Sequence, residues 1–279
     1  MFFKKSREKE LRMICQVKKG NEESYLVGTA HLFPYSFRSS LFRYIENAST
    51  VLFEGPLDQE NMARVVKAGL EVENPSHLFD EMDKQTILRV SEMLIPTCRI
   101  KSPFLFFNPR TLSTENPVYE MVKGMKPWLA FFAIWFNFLR RNGWQHSVDE
   151  EAYSIARETG KPVIFLETIE EQIKVLENLS HEKILYFLEQ VDHWNAYAQK
   201  YVKCYLKGDL ENLTPMWSRF PTRHGSVIGR RDRILYERMA RYLKKGDAVA
   251  FVGAPHLRGI GQMLRADGFE IQGPPGTRS

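Results

Sequence analysis

Four short apolar runs, each closed by a glycine or a glutamate, limit what this chain can become. They are "SYLVG" (24–28), "TVLFE" (50–54), "PVIFLE" (162–167) and "AVAFVG" (248–253). Each is too short for a stable helix and too continuously apolar for a half-exposed strand, so each reads as a strand buried on both faces. Leu11–Val17, a polar Lys18-Lys19-Gly20-Asn21 turn and Ser24–Gly28 together read as a hairpin, which makes the first pair antiparallel. Helical patterns follow the strands. The fold class expected is α/β: a central mixed β-sheet flanked by helices.

Start signals place several of those helices. Ser39 to Ala48 reads as a helix with Leu41, Phe42 and Ile45 inward, and another starts near Asp58. Ser147-Val148-Asp149-Glu150 and Thr168-Ile169-Glu170-Glu171 each have the spacing of a capping box. Further helices are expected over about 181–207, 226–244 and 259–266, and a last strand at Phe269–Ile271. Between 75 and 145 the periods are helical, with Ile87, Val90 and Leu94 on one face and prolines at 96, 103, 109, 117 and 127. This stretch reads as a helical insertion in a single domain spanning 1–279, with its core at about 11–272.

The longest apolar run, "WLAFFAIWFNFL" (128–139), would make about 18 Å of helix, short of a bilayer core of about 30 Å. It reads as a buried helix or a cleft wall. Arg140-Arg141 at its end keeps an interfacial membrane contact through 128–141 as an alternative. Net charge is only +5, dispersed except for Arg219, Arg223, His224, Arg230, Arg231 and Arg233, so no nucleic-acid partner is expected. Cys15, Cys98 and Cys204 form no CxxC pair, and "MFFKKSREKELRM" lacks an apolar signal core. A cytoplasmic protein with reduced thiols is the expectation.

The chemistry concentrates at strand ends. His31 follows the first run as Gly28-Thr29-Ala30-His31, and His256 follows the last as Gly253-Ala254-Pro255-His256. Glu54 and Glu167 end the two runs between. In open α/β sheets ligands bind beyond the carboxyl ends of the strands, so two imidazoles and two carboxylates converge on one edge. Each has a plainer alternative: a turn histidine, or a glutamate capping the next helix. The glycines are read as letting the backbone turn off the strand. Two histidines and a carboxylate suit a divalent transition metal with open positions for water and substrate. An arginine could hold a substrate carboxylate or an oxyanion, and Arg231 is the candidate. Asp149 is a further candidate for the crevice. "HEKIL" at His181 lacks the second histidine of a zinc helix, and no nucleophile elbow, dinucleotide fingerprint or P-loop is present. His77, His193 and His224 read as surface or helix residues, and His146, three residues before Asp149, reads as part of the same helix start.

With these residues in place, the chain resembles the TraB/GumN/TIKI family. The likeness rests on "YLVGTAHLF", "VLFE", "VDEEAYSIARETGKPVIFLETIEEQ", "KPW", "GRRDRI" and "FVGAPHLRGIGQMLRADGFEI", spanning about 11–272. It implies a fold shared with erythromycin esterases and haem-binding ChaN-like proteins. TIKI members are membrane-anchored peptidases that depend on manganese or cobalt, and TraB-type members act in peptide pheromone signalling. Carried over by position, His31, Glu54 and His256 become the metal and catalytic set, and Arg231 the substrate or oxyanion group. Asp232 stands where the family has asparagine. The C-terminal membrane helices of TraB-type members and the signal and anchor of TIKI members have no counterpart, so a secreted or membrane signalling role is not expected to transfer.

The function expected is a metal-dependent hydrolase, in particular a peptidase. It would use a divalent metal, manganese or cobalt by resemblance and zinc as an option, on a peptide or small-molecule substrate. The alternative is a non-catalytic protein that sequesters a peptide or haem in the same crevice. Both require His31 and His256 to lie close together with Glu54 between or beside them.

Overall fold

Gly20, at φ +63°, lets a two-residue turn join strand β1 (Ile14–Lys19) to β2 (Glu22–Thr29). This hairpin opens a computed structural model that describes residues 8–70, 78–94, 117–217, 220–223 and 225–274. The chain continues through α1 (Arg38–Glu46), β3 (Thr50–Phe53), α2 (Gln59–Gly69), α3 (Lys84–Leu94), α4 (Pro117–Val122) and α5 (Pro127–Arg141). Next come α6 (Val148–Glu158), β4 (Val163–Phe165), α7 (Ile169–Glu177), α8 (His181–Glu189), α9 (Trp194–Lys207) and α10 (Leu210–Trp217). Helix α11 (Gly225–Leu243), β5 (Ala248–Gly253), α12 (His256–Ala266) and β6 (Glu270–Gln272) complete the described elements.

The sheet is mixed, in the order β4-β3-β5-β2-β1-β6. β4, β3, β5 and β2 run parallel, and β1 is antiparallel to both β2 and β6. The apolar runs that suggested strands lie near its centre: Leu26, Val51, Leu52, Val249 and Phe251 are sealed from solvent. β4 lies at the edge of the order and is correspondingly half-buried or exposed, with Phe165 in contact with water.

Local signals set the helix ends. Asp58 caps α2 by accepting from the Asn61 N–H, and Thr168 and Glu171 form a complete capping box on α7. At α6 only half of the expected box forms: Ser147 Oγ accepts from the Glu150 N–H. Phe42 on α1 is exposed, while Leu41 and Ile45 are buried. At 100° per residue a helix presents 41 and 45 to the core together and turns 42 away. The described parts of 75–145 contain helix and no strand. Phe131, Trp135 and Phe138 of α5 are buried against Phe187, Trp194 and Phe220, and Trp128 is buried too, which makes this apolar run a core helix. No helix among the described residues is long and apolar enough to cross a membrane. Arg219, His224, His77, Cys98 and the prolines at 96, 103 and 109 lie outside the described residues.

The two Gly-x-x-His segments pack on each other. Neither Gly28 nor Gly253 has a positive φ, so a left-handed turn is not why glycine stands there. Gly28 is needed for close approach. A β-carbon on it would sit 2.6 Å from Leu257 Cδ1, 2.8 Å from Met13 Cγ and 3.0 Å from the Ala254 Cα. The buried Tyr205 hydroxyl donates to the Gly28 carbonyl at 2.6 Å and fixes the end of β2 from the helical side.

Gly28→Ala should therefore destabilise the protein by about 1–3 kcal/mol through overpacking against the Leu257 and Met13 side chains and the Ala254 backbone. The exposed helical Gly229, with no atom near its missing β-carbon, should gain up to about 1 kcal/mol as alanine. Urea denaturation of both variants checks this pair; equal midpoints would contradict the close-approach role of Gly28.

Candidate active site

The carboxyl ends of four parallel strands meet at one edge. Thr29 is level with Gly253, and Phe53 with Phe251 and Phe165. The backbone stays linked beyond the strands: Ala254 N–H donates to Thr29 O, Glu54 N–H to Phe251 O and Glu167 N–H to Glu54 O, at 3.1, 3.0 and 2.8 Å. His31, Glu54, Glu167 and His256 leave the sheet here, as strand-end placement requires.

Two of these groups are carboxylates in an apolar setting. The Glu54 and Glu167 side chains are 14% and 3% exposed and would repel each other if both stayed charged and unpaired. Arg231 of α11 lies between them. Its Nε donates to Glu167 Oε1 at 3.0 Å, and its Nη2 reaches Glu167 Oε2 at 2.5 Å and also Glu54 Oε1. The other Glu54 oxygen accepts the Gly253 N–H at 2.8 Å. Burial alone would raise the Glu54 carboxyl. Arg231, then His256, the Gly253 N–H and His31 outweigh burial and hold it far below the usual carboxylate range. Burial likewise opposes the Arg231 charge, and Glu54 and Glu167 more than restore it. The guanidinium that was the candidate substrate or oxyanion group is thus engaged with two carboxylates.

Each histidine has a carboxylate behind Nδ1. His256 opens α12, three residues before the expected helix start. Its Nδ1 lies 2.5 Å from Asp232 Oδ1, and both residues are buried. His31 is different. Its side chain is 68% exposed, and its Nδ1 lies 3.0 Å from Oδ2 of the buried Asp149. That distance makes an ion pair when the ring is charged, but the ring N–H is not aligned as a hydrogen bond to Oδ2. Asp149 is in the first turn of α6, where a helix N-terminus favours a carboxylate. Backbone bonds from Val148 to Ala30 and between Phe33 and His146 bring that turn beside His31.

Sequence patterns alone do not single out Asp232 as a partner of His256. The spacing of 24 residues between them gives no cue, because the contact is made by packing α11 on α12. The basic segment is also divided by the fold: Arg230 and Arg233 are exposed, whereas Arg231 between them reaches the buried edge. His146 pairs with Glu151 at 3.0 Å, and His181 lies 3.6 Å from Glu81.

The arrangement does not fit a three-ligand metal made from His31, Glu54 and His256. Both Glu54 oxygens already have donors, one of them a guanidinium, which repels a cation on the same carboxylate. No three His, Cys, Asp or Glu side chains among the described residues group so as to hold a metal ion. What the edge does provide is two imidazoles of defined Nδ1 environment beside a charge-compensated carboxylate pair.

The sequence model of the TraB/PrgY/gumN family matches residues 13–273, and the chain belongs to that family. No curated protein and no solved structure matches the chain.

The Glu54 shift has a defined pH consequence. A carboxyl held below its ordinary value of 4.5 in the folded state adds stability that is complete above that pH and fades as pH falls beneath it. Wild-type stability should be level above about pH 5.5 and drop below about pH 4.5. Glu54→Gln should flatten that acid limb. Arg231→Met, which strands two buried carboxylates, should lose about 3–5 kcal/mol at neutral pH. Chemical denaturation between pH 3 and 7 reads both; an unchanged acid limb in Glu54→Gln would contradict the assignment.

Proposed function

We propose that this member of the TraB/PrgY/gumN family is a hydrolase of peptide or related acyl bonds, in which His31 takes a proton from water. The observation that carries the proposal is the exposed His31 ring with the buried Asp149 carboxylate 3.0 Å behind its Nδ1. A carboxylate on that side favours the tautomer with the proton on Nδ1, which makes Nε2 the basic nitrogen of the ring. It also stabilises the imidazolium that forms. Small realignment of the exposed ring would complete the bond to Oδ2, as catalytic hydrogen bonds often tighten only when substrate binds.

The steps follow from that tautomer. Nε2 accepts a water proton as the water oxygen bonds to the substrate carbonyl carbon. The tetrahedral oxyanion collapses, the bond to the leaving amine breaks, and the proton on Nε2 passes to the amine. His256, fixed by Asp232, faces the same edge and supplies a donor to the oxyanion when doubly protonated. Arg231 has a positioning role: it keeps Glu54 and Glu167 charged and in place under the histidines.

The manganese or cobalt implied by the family resemblance enters as a test of this route. The full chain is assayed on a peptide library in chelator and with added Mn2+ or Co2+, beside His31→Ala and Asp149→Asn. The expected result is turnover that persists in chelator, falls about 100-fold or more in His31→Ala, and falls at least about tenfold in Asp149→Asn. Unchanged turnover in His31→Ala would sink the proposal. Turnover only with added metal would replace the general-base role with metal ligation. Saturable binding of peptide or haem without turnover would make the protein a sequestering one.

A further inference from the structure

We infer that Gly259 is a positioning residue for His256, acting through Asp232. Gly259 lies three residues after His256 on α12, so the two share a helix face. Where its β-carbon would stand, Asp232 of α11 has placed its carboxylate: a β-carbon there would overlap Oδ2 and lie 2.7 Å from Cγ and 3.2 Å from Cβ. Only in that notch can the buried carboxylate approach α12 closely enough for Oδ1 to reach His256 Nδ1 at 2.5 Å.

Glycine inside a helix is unfavourable by about 1 kcal/mol relative to alanine, so its presence in α12 needs a reason. Gly261, two residues on, provides a contrast. A β-carbon on Gly261 would meet nothing closer than 3.8 Å, an ordinary contact with Ile271. The same helix therefore carries one glycine with room for a methyl and one without. The one without faces the histidine's partner. A methyl on Gly259 would displace the carboxylate of a short side chain and press on its Cβ by a few tenths of an ångström, with no backbone atom among its three nearest contacts, so the helix pair can keep its packing with a small adjustment while the carboxylate moves off Nδ1. Gly259 thus couples the α11–α12 contact to the tautomer and orientation of His256. The effect on turnover rests on the hydrolase proposal; the effect on the ring does not.

The experiment uses the full chain with 15N-labelled histidine. The imidazole resonances of His256 are identified by their loss in His256→Gln. Wild type should show a protonated Nδ1 with the downfield proton of a carboxylate-bound imidazole. Gly259→Ala and Asp232→Ala should each lose that proton signal and lower peptide turnover about 10–100-fold, the usual range for groups that orient a functional histidine. Gly261→Ala should match wild type. In the Asp232→Ala background, Gly259→Ala should add no further loss, because the carboxylate it displaces is gone. Retention of the signal in Gly259→Ala, additive losses in the double variant, or a double variant that fails to fold would each overturn the inference. Loss of the signal in Gly259→Ala, in a wild type that turns over no peptide, would support the positioning role and count against the hydrolase alone.

Discussion

The bridge from Arg231 to Glu54 and Glu167 is the interaction on which the carboxyl edge of the sheet depends. Two adjacent parallel strands end in glutamates, and their backbones are hydrogen bonded to each other just beyond the sheet. Such a pair of buried carboxylates cannot both stay charged without a cation. One guanidinium has the fork geometry to serve both. Its demand draws α11 across the end of the sheet and places that helix's other side chains as well. Asp232, the next residue, faces α12 and meets His256. Arg238, two turns on, donates to Leu166 O and to Glu171, which steadies the turn that carries Glu167.

The two histidines are alike in sequence and unlike in situation. Both come after Gly-x-x and both have an aspartate at Nδ1. His256 and its aspartate are closed off from water and tightly paired, whereas the His31 ring is mostly exposed beside a buried acid. A buried, clamped imidazole suits a fixed donor, and an exposed one suits proton exchange with water and substrate. This asymmetry is what gives the proposed division of labour its physical content. It arises because His256 is the first residue of a helix packed on the sheet, while His31 sits in the loop between β2 and α1.

Much of the frame is legible in the sequence. Buried runs of four to six residues can satisfy their backbone only by pairing, so the strands and their helical partners are written in the pattern. Asp58 and Thr168 mark helix starts because a side-chain oxygen there meets an orphan N–H. Other features mislead for equally physical reasons. Phe42 is apolar but lies on the outer face of α1. Helix α12 begins at His256, since Ala254-Pro255 supplies a turn and not a break. The glycines of the two motifs look like turn glycines, yet Gly28 is there because Leu257 and Ala254 press against it.

The sequence by itself determined which side chains stand at the ends of the strands, because period, run length and chain direction are local properties. That is enough to bring His31, Glu54, Glu167 and His256 to one edge. Tertiary structure alone decided who pairs with whom. Arg231 is far in sequence from both of its glutamates, Asp149 reaches His31 only through the placement of α6 beside the β2 end, and Asp232 reaches His256 only through the packing of α11 on α12. A charge's partner depends on distance and burial, and neither is written in the spacing of residues along a chain.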